Sequence, residues 1–144
     1  MIESDTIKLL RECDAGVKMG VSSIDEVLDQ VKNREFKERL TACRDEHQTL
    51  DRELQALLER YHDQGKDPSP VVKGMGWLKT NMKLGWDGSD ETIASLMTDG
   101  CNMGVKSLHR YLNQYRAADE ASKGVARRLI GLEERLTASI RQYL

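Results

Sequence analysis

Proline placement constrains this chain more than any other feature: the only two prolines in 144 residues, Pro68 and Pro70, leave proline-free stretches at 1–67 and 71–144. Proline removes a backbone donor and clashes with the preceding helical turn, so long stretches without it favour helix. Aromatic residues make up 5% of the chain and Phe occurs once. That is poor material for sandwiches and barrels, which draw on β-branched and aromatic side chains. An all-α fold is predicted and an all-β fold is excluded. A chain of 144 residues can bury one core but not two independent ones, so a single domain is expected.

The apolar pattern divides this chain into helices. Ile7, Leu10, Val17, Val21, Ile24, Leu28 and Val31 recur at spacings of three, four or their sum, predicting a first helix over 5–32. Lys32-Asn33-Arg34 interrupts the pattern, and Asn33 is expected to adopt the left-handed conformation that ends helices. Phe36, Leu40, Cys43, His47, Leu50, Leu54, Leu57 and Tyr61 then alternate steps of four and three, predicting a second helix that runs to Asp63. Gly65 and the Pro-Ser-Pro segment end it. Ser69 and Pro70 open a short helix through Met75, Leu78 and Met82 to Leu84. Ser89 caps a helix over 90–115, and Asp119 caps a last one with Val125, Leu129, Leu132, Leu136, Ile140 and Tyr143 on its seam. The expected architecture is an antiparallel four-helix bundle: a hairpin at 5–63, a crossover at 64–89 carrying the short extra helix, and a hairpin at 90–144.

A six-residue segment occurs twice. Cys13-Asp14-Ala15-Gly16-Val17-Lys18 and Cys101-Asn102-Met103-Gly104-Val105-Lys106 lie 88 residues apart, each in the first half of the first helix of its hairpin. A duplicated helical hairpin is the expected origin. Gly16, Gly20, Gly100 and Gly104 suggest close backbone approach there, since glycine inside a helix costs roughly 1 kcal/mol relative to alanine. The Cys-bearing start of the first helix, Arg-Glu-Leu-Gln-Ala at 52–56, Gly-Trp-Leu-Lys at 76–79 and the copy around Cys101 together resemble the ferritin-like superfamily. Within it they are similar to bacterial four-helix-bundle proteins of unknown function. The resemblance implies two hairpins joined by a long crossover; fold alone carries no function.

Active members of that superfamily hold two iron or manganese ions with one Glu from each of two helices and a Glu-x-x-His from each of the other two. By the resemblance, the single glutamates would fall near Cys13 and Cys101, neither of which is a carboxylate. His47 stands on the second seam, but three residues before it is the cation Arg44, and the last helix has no histidine. The one literal Glu-x-x-His, Glu59 to His62, is turned toward solvent. The ordinary di-metal site is therefore rejected. Cys13, Asp14, Cys43, His47 and Cys101 form a second candidate metal set, soft or borderline ligands suited to zinc or copper(I). Hairpin register opposes it by offsetting His47 from Cys13 by about 9 Å. Three widely spaced cysteines without CxxC spacing are expected as reduced, buried thiols. Cys43 and His47 could pair as nucleophile and base, although nothing supplies an oxyanion hole. Met19, Met97 and Met103 are candidate lining for a haem-type pocket.

With 22 basic against 24 acidic residues, the net charge is -2. No general positive field exists to draw nucleic acid. Trp77, Lys79, Met82, Lys83 and Trp86 gather in the crossover and form the candidate surface for a protein partner or a second copy of the chain. Arg127-Arg128, offset by Glu120, Glu133 and Glu134, reads as a solvated helix face. The sequence contains no run of roughly 20 apolar residues and opens on polar and acidic residues, so a cytoplasmic location is expected. The expected role is a non-catalytic, self-associating structural or interaction module with no cofactor. The competing role is a metal-binding or redox protein using the Cys/His/Asp set.

Overall fold

A computed structural model describes residues 4–66 and 88–144. Four helices pack against one another: α1 (Ser4–Leu28), α2 (Arg34–Arg60), α3 (Asp90–Gln114) and α4 (Glu120–Ile140), the last followed by one 3-10 turn at Arg141–Tyr143. No strand occurs among the described residues. The short helix expected at 70–84, and with it Trp77, Lys79, Met82, Lys83 and Trp86, lies outside them.

Local capping chemistry sets the helix ends and corrects two expectations. α1 stops at Leu28, short of 32, and Asn33 is extended (φ −71°) instead of left-handed. The cause is Asp90: its carboxylate accepts from the backbone N–H groups of Lys32 (2.8 Å) and Asn33 (2.7 Å), drawing the connection out straight. Asn33 then serves as N-cap of α2, accepting from Phe36 N at 2.9 Å. α2 likewise ends at Arg60, and His62 and Gly65 take positive φ values of 56° and 80°. Ser89 and Asp119 cap α3 and α4 as expected, accepting from Thr92 N and Ser122 N.

α1 packs on α2, α3 and α4, and α4 also packs on α2 and α3, so α1 and α4 are the central pair. Between α1 and the α2 segment Arg44 pairs with Asp25 at 3.0 Å, Gly20 lies under His47, Gln55 bonds Asp14 at 2.7 Å and Arg11 bonds Asp63. Toward its end the buried stripe of α2 moves from the expected Leu57 and Tyr61, which are half-buried, to Leu58, which is 1% exposed. A strict heptad on a straight helix drifts about 20° each repeat, and over three repeats position 58 turns closer to the core than position 57.

The core divides into two apolar lobes. One gathers Leu9, Leu10, Cys13, Leu50, Leu54 and Leu129; the other gathers Ile24, Val27, Phe36, Leu40, Ile93 and Ile140. Between the lobes stand Gly20 on α1, His47 on α2, Gly104 on α3 and Glu133 on α4, none of which belongs to either lobe.

Candidate functional site: a polar layer between two apolar lobes

His47 is 1% exposed. Its Nδ1 lies 2.8 Å from the Cys43 carbonyl oxygen and 3.5 Å from the Cys43 sulfur, and its Nε2 lies 2.9 Å from Glu133 Oε1. A carbonyl and a carboxylate can only accept hydrogen bonds, so both ring nitrogens donate and His47 is an imidazolium. Burial pushes its pKa down, but the hydrogen bonds to Cys43 and Glu133 and the Glu133 charge outweigh that and raise it to about 10. The ring has room because α1 carries glycine beside it: a Cβ on Gly20 would stand 2.8 Å from His47 Cδ2 and Nε2. Gly104 is less constrained, with the Glu133 carboxyl 3.9 Å from where its Cβ would be.

Cys101 completes the layer. Burial raises its thiol pKa most; the Glu133 charge and a hydrogen bond to Glu133 add to this, against an opposing bond from Thr137. The thiol therefore stays protonated. Cys13 sits 0% exposed in the other lobe, its pKa raised to about 12 by burial and then by the neighbouring charges of Glu12 and Asp14. Such thiols are inert as nucleophiles.

The structure separates the sequence-selected residues into two places. Cys43, His47 and Cys101 meet at the polar layer, whereas Cys13 and Asp14 lie toward the other end, where Asp14 faces Gln55. Asp14 is 0% exposed and accepts from Gln55 Nε2 (2.7 Å), Lys66 N (2.9 Å) and Lys18 Nζ (2.9 Å). Its repeat counterpart Asn102 is exposed. Gly65 is required where the chain leaves α2, because φ is +80° and a Cβ would stand 2.2 Å from Asp14 Oδ2. Glu59 and His62 are exposed. Met97 is buried but Met103 is 57% exposed, so the methionines expected to line one pocket do not share an interior.

Glu133 is the residue that sequence reasoning misplaced. Expected on a solvated face, it has a side chain only 13% exposed and bonded to His47. The signal was present: Glu133 follows Leu129 by four residues and precedes Leu136 by three, which places it on the core face.

A di-metal centre does not fit these residues. Both nitrogens of His47 and the oxygens of Asp14 are engaged by protein groups. Among the described residues no group of three or more His, Cys, Asp or Glu side chains is arranged to hold a metal ion. No described helix is long and apolar enough to cross a membrane. Among the described residues, the fold and the layer define an all-helical assembly in which four helices enclose a buried histidine–glutamate pair. No protein-family profile, curated protein or solved structure matches the chain.

Proposed function

We propose that the protein is a non-catalytic, ferritin-like antiparallel bundle that lacks the di-metal site and acts as a cytoplasmic structural or protein-interaction module, without nucleic acid as a partner. The observation that carries this reading is that the buried charges of His47, Glu133 and Asp14 are spent on the protein itself. His47 donates on both sides, Glu133 accepts from His47, and Asp14 accepts from Gln55, Lys18 and the Lys66 backbone. Groups so engaged hold helices in register instead of presenting bonds to a substrate. Support for the antiparallel hairpin comes from Arg44 with Asp25 and Arg11 with Asp63, where position rises along one helix as it falls along the other.

Elemental analysis of purified protein, wild type beside His47→Ala, tests the reading. Iron, manganese, copper and zinc far below one ion per chain in both support it. One ion per chain that disappears in His47→Ala overturns it in favour of a metal or redox protein built on Cys43, His47 and Cys101.

A further inference from the structure

The outer faces of α2 and α4 enclose an open groove of about 560 Å³ floored by Leu50 and Leu132. Its α2 lip is acidic, with Asp45 and Glu46, and its α4 lip is basic, with Arg128 and Arg135. Within one chain Arg128 pairs with Glu53, and Arg135 stands 3.5 Å from Glu46; each of these side chains is half exposed or more. Ion pairs in water contribute little, so an arginine here can exchange its partner at small cost.

Two glycines of α4 sharpen the meaning of this groove. Gly124 and Gly131 lie seven residues apart and therefore on one side of the helix. A Cβ on Gly124 would meet nothing within 4 Å, and one on Gly131 would meet only Arg135, nearest the end of that flexible side chain at 3.1 Å. Gly20, by contrast, has to be glycine to seat His47. Glycine inside a helix is less stable than alanine, so packing within one chain gives no reason for Gly124 or Gly131. A second backbone arriving from outside gives one, because small residues let helices approach closely.

We propose that the α2–α4 groove is the docking surface for a second copy of this chain, related by a two-fold axis that lays α2 of each copy along α4 of the other. A two-fold interface uses the same patch twice, so it must be self-complementary. This patch is: the acidic α2 lip of either copy meets the basic α4 lip of its mate, and Gly131 lines the groove with Gly124 two turns before it on the same side of α4. The inference rests on the interaction-module reading and names its partner and surface.

Light scattering after size exclusion tests it. Wild type is expected at twice 16.4 kDa at about 100 μM, with association somewhat weaker at high salt as the lips are screened. Glu46→Arg with Glu53→Arg, and separately Arg128→Glu with Arg135→Glu, should each give monomers, and an equimolar mixture should restore the dimer. Gly124→Gln, for which the single chain has open room, should weaken dimerisation at least about tenfold with helical circular dichroism unchanged, keeping the test decisive should a charge variant fold poorly. A wild type that stays monomeric overturns the proposal. A dimer that survives the charge variants and Gly124→Gln also overturns it, while leaving the interaction-module reading in place; metal content decides that reading separately.

Discussion

Replacing Glu133 with glutamine tests whether His47 is held as a buried imidazolium. The folded pKa near 10 lies above the ordinary value of 6.5, so the native state keeps a proton that the unfolded chain releases. Its contribution is complete below about pH 6.5, declines as pH rises, and is gone above about pH 10. The slope is at most about 1.4 kcal/mol per pH unit. Between about pH 6.5 and about pH 8.5 the protein should therefore lose about 2–3 kcal/mol, a large share of the roughly 5–15 kcal/mol typical of a domain. The window stops there because unfolded thiols begin to ionise near pH 8.5. Beyond it Cys13 and Cys101, whose folded pKa values are raised, add a loss of the same sign.

Urea unfolding followed by circular dichroism at several pH values measures the slope. Glutamine keeps the shape of Glu133 but removes the charge that holds the proton, so His47 becomes a neutral buried ring. The variant should be about 3 kcal/mol less stable than wild type near pH 6.5, the cost of breaking a buried pair by removing one partner. Its stability should change little with pH, so that the two proteins converge toward pH 8.5. A wild type with flat stability across the window, or a glutamine variant with the same slope, refutes the imidazolium assignment.

Three further outcomes follow from the geometry. Gly20→Ala places a Cβ 2.8 Å from the His47 ring and should cost about 1–3 kcal/mol; Gly104→Ala, with its nearest neighbour at 3.9 Å, should be neutral or stabilising, and equal thermal midpoints for the two variants would contradict the asymmetry. Asp14→Ala strips the acceptor from Gln55 and from the Lys66 backbone and should lower stability by about 2–4 kcal/mol in denaturant titration; an unchanged midpoint counts against the network. Cys13 and Cys101, at 0% and 3% exposure with raised pKa values, should react with a thiol reagent only as fast as the protein unfolds, and immediate labelling of either would show that its lobe is open.

The helices were legible because three local signals coincide: the absence of proline, the spacing of apolar residues, and Ser89 and Asp119 as caps. What misled at their ends was long-range. Nothing near Asn33 announces that Asp90, 57 residues away, will hold the loop extended. The site was half legible. His47 stood on its seam, but a helical period says only which face a residue occupies. It cannot say that Glu133 of α4 meets His47 across 86 residues of chain. Reading every acidic residue of α4 as solvated overlooked that Glu133 shares the core face with Leu129 and Leu136.

The placement of the polar layer argues for what it does. Lobes made of Leu, Ile and Val tolerate sliding, since a helix shifted by one turn exchanges one aliphatic contact for another. A one-turn slip of α2 against α4 moves His47 about 5.4 Å past Glu133 and leaves both charges buried and unpaired. The ends are fixed reciprocally: Asp90 at the start of α3 holds the α1–α2 connection, while Asp5 and Thr6 at the start of α1 accept from Ala117 N (3.0 Å) and Asp119 N (2.9 Å) in the α3–α4 connection. If the pair serves register more than stability, replacing both partners together, His47→Leu with Glu133→Leu, should leave unfolding free energy equal or higher, because burying a charge pair roughly offsets its own attraction. Amide NMR spectra of that variant should nevertheless broaden or double, because the lobes can then settle in more than one alignment. A double variant that loses several kcal/mol yet gives one sharp set of resonances would assign the pair to stability instead.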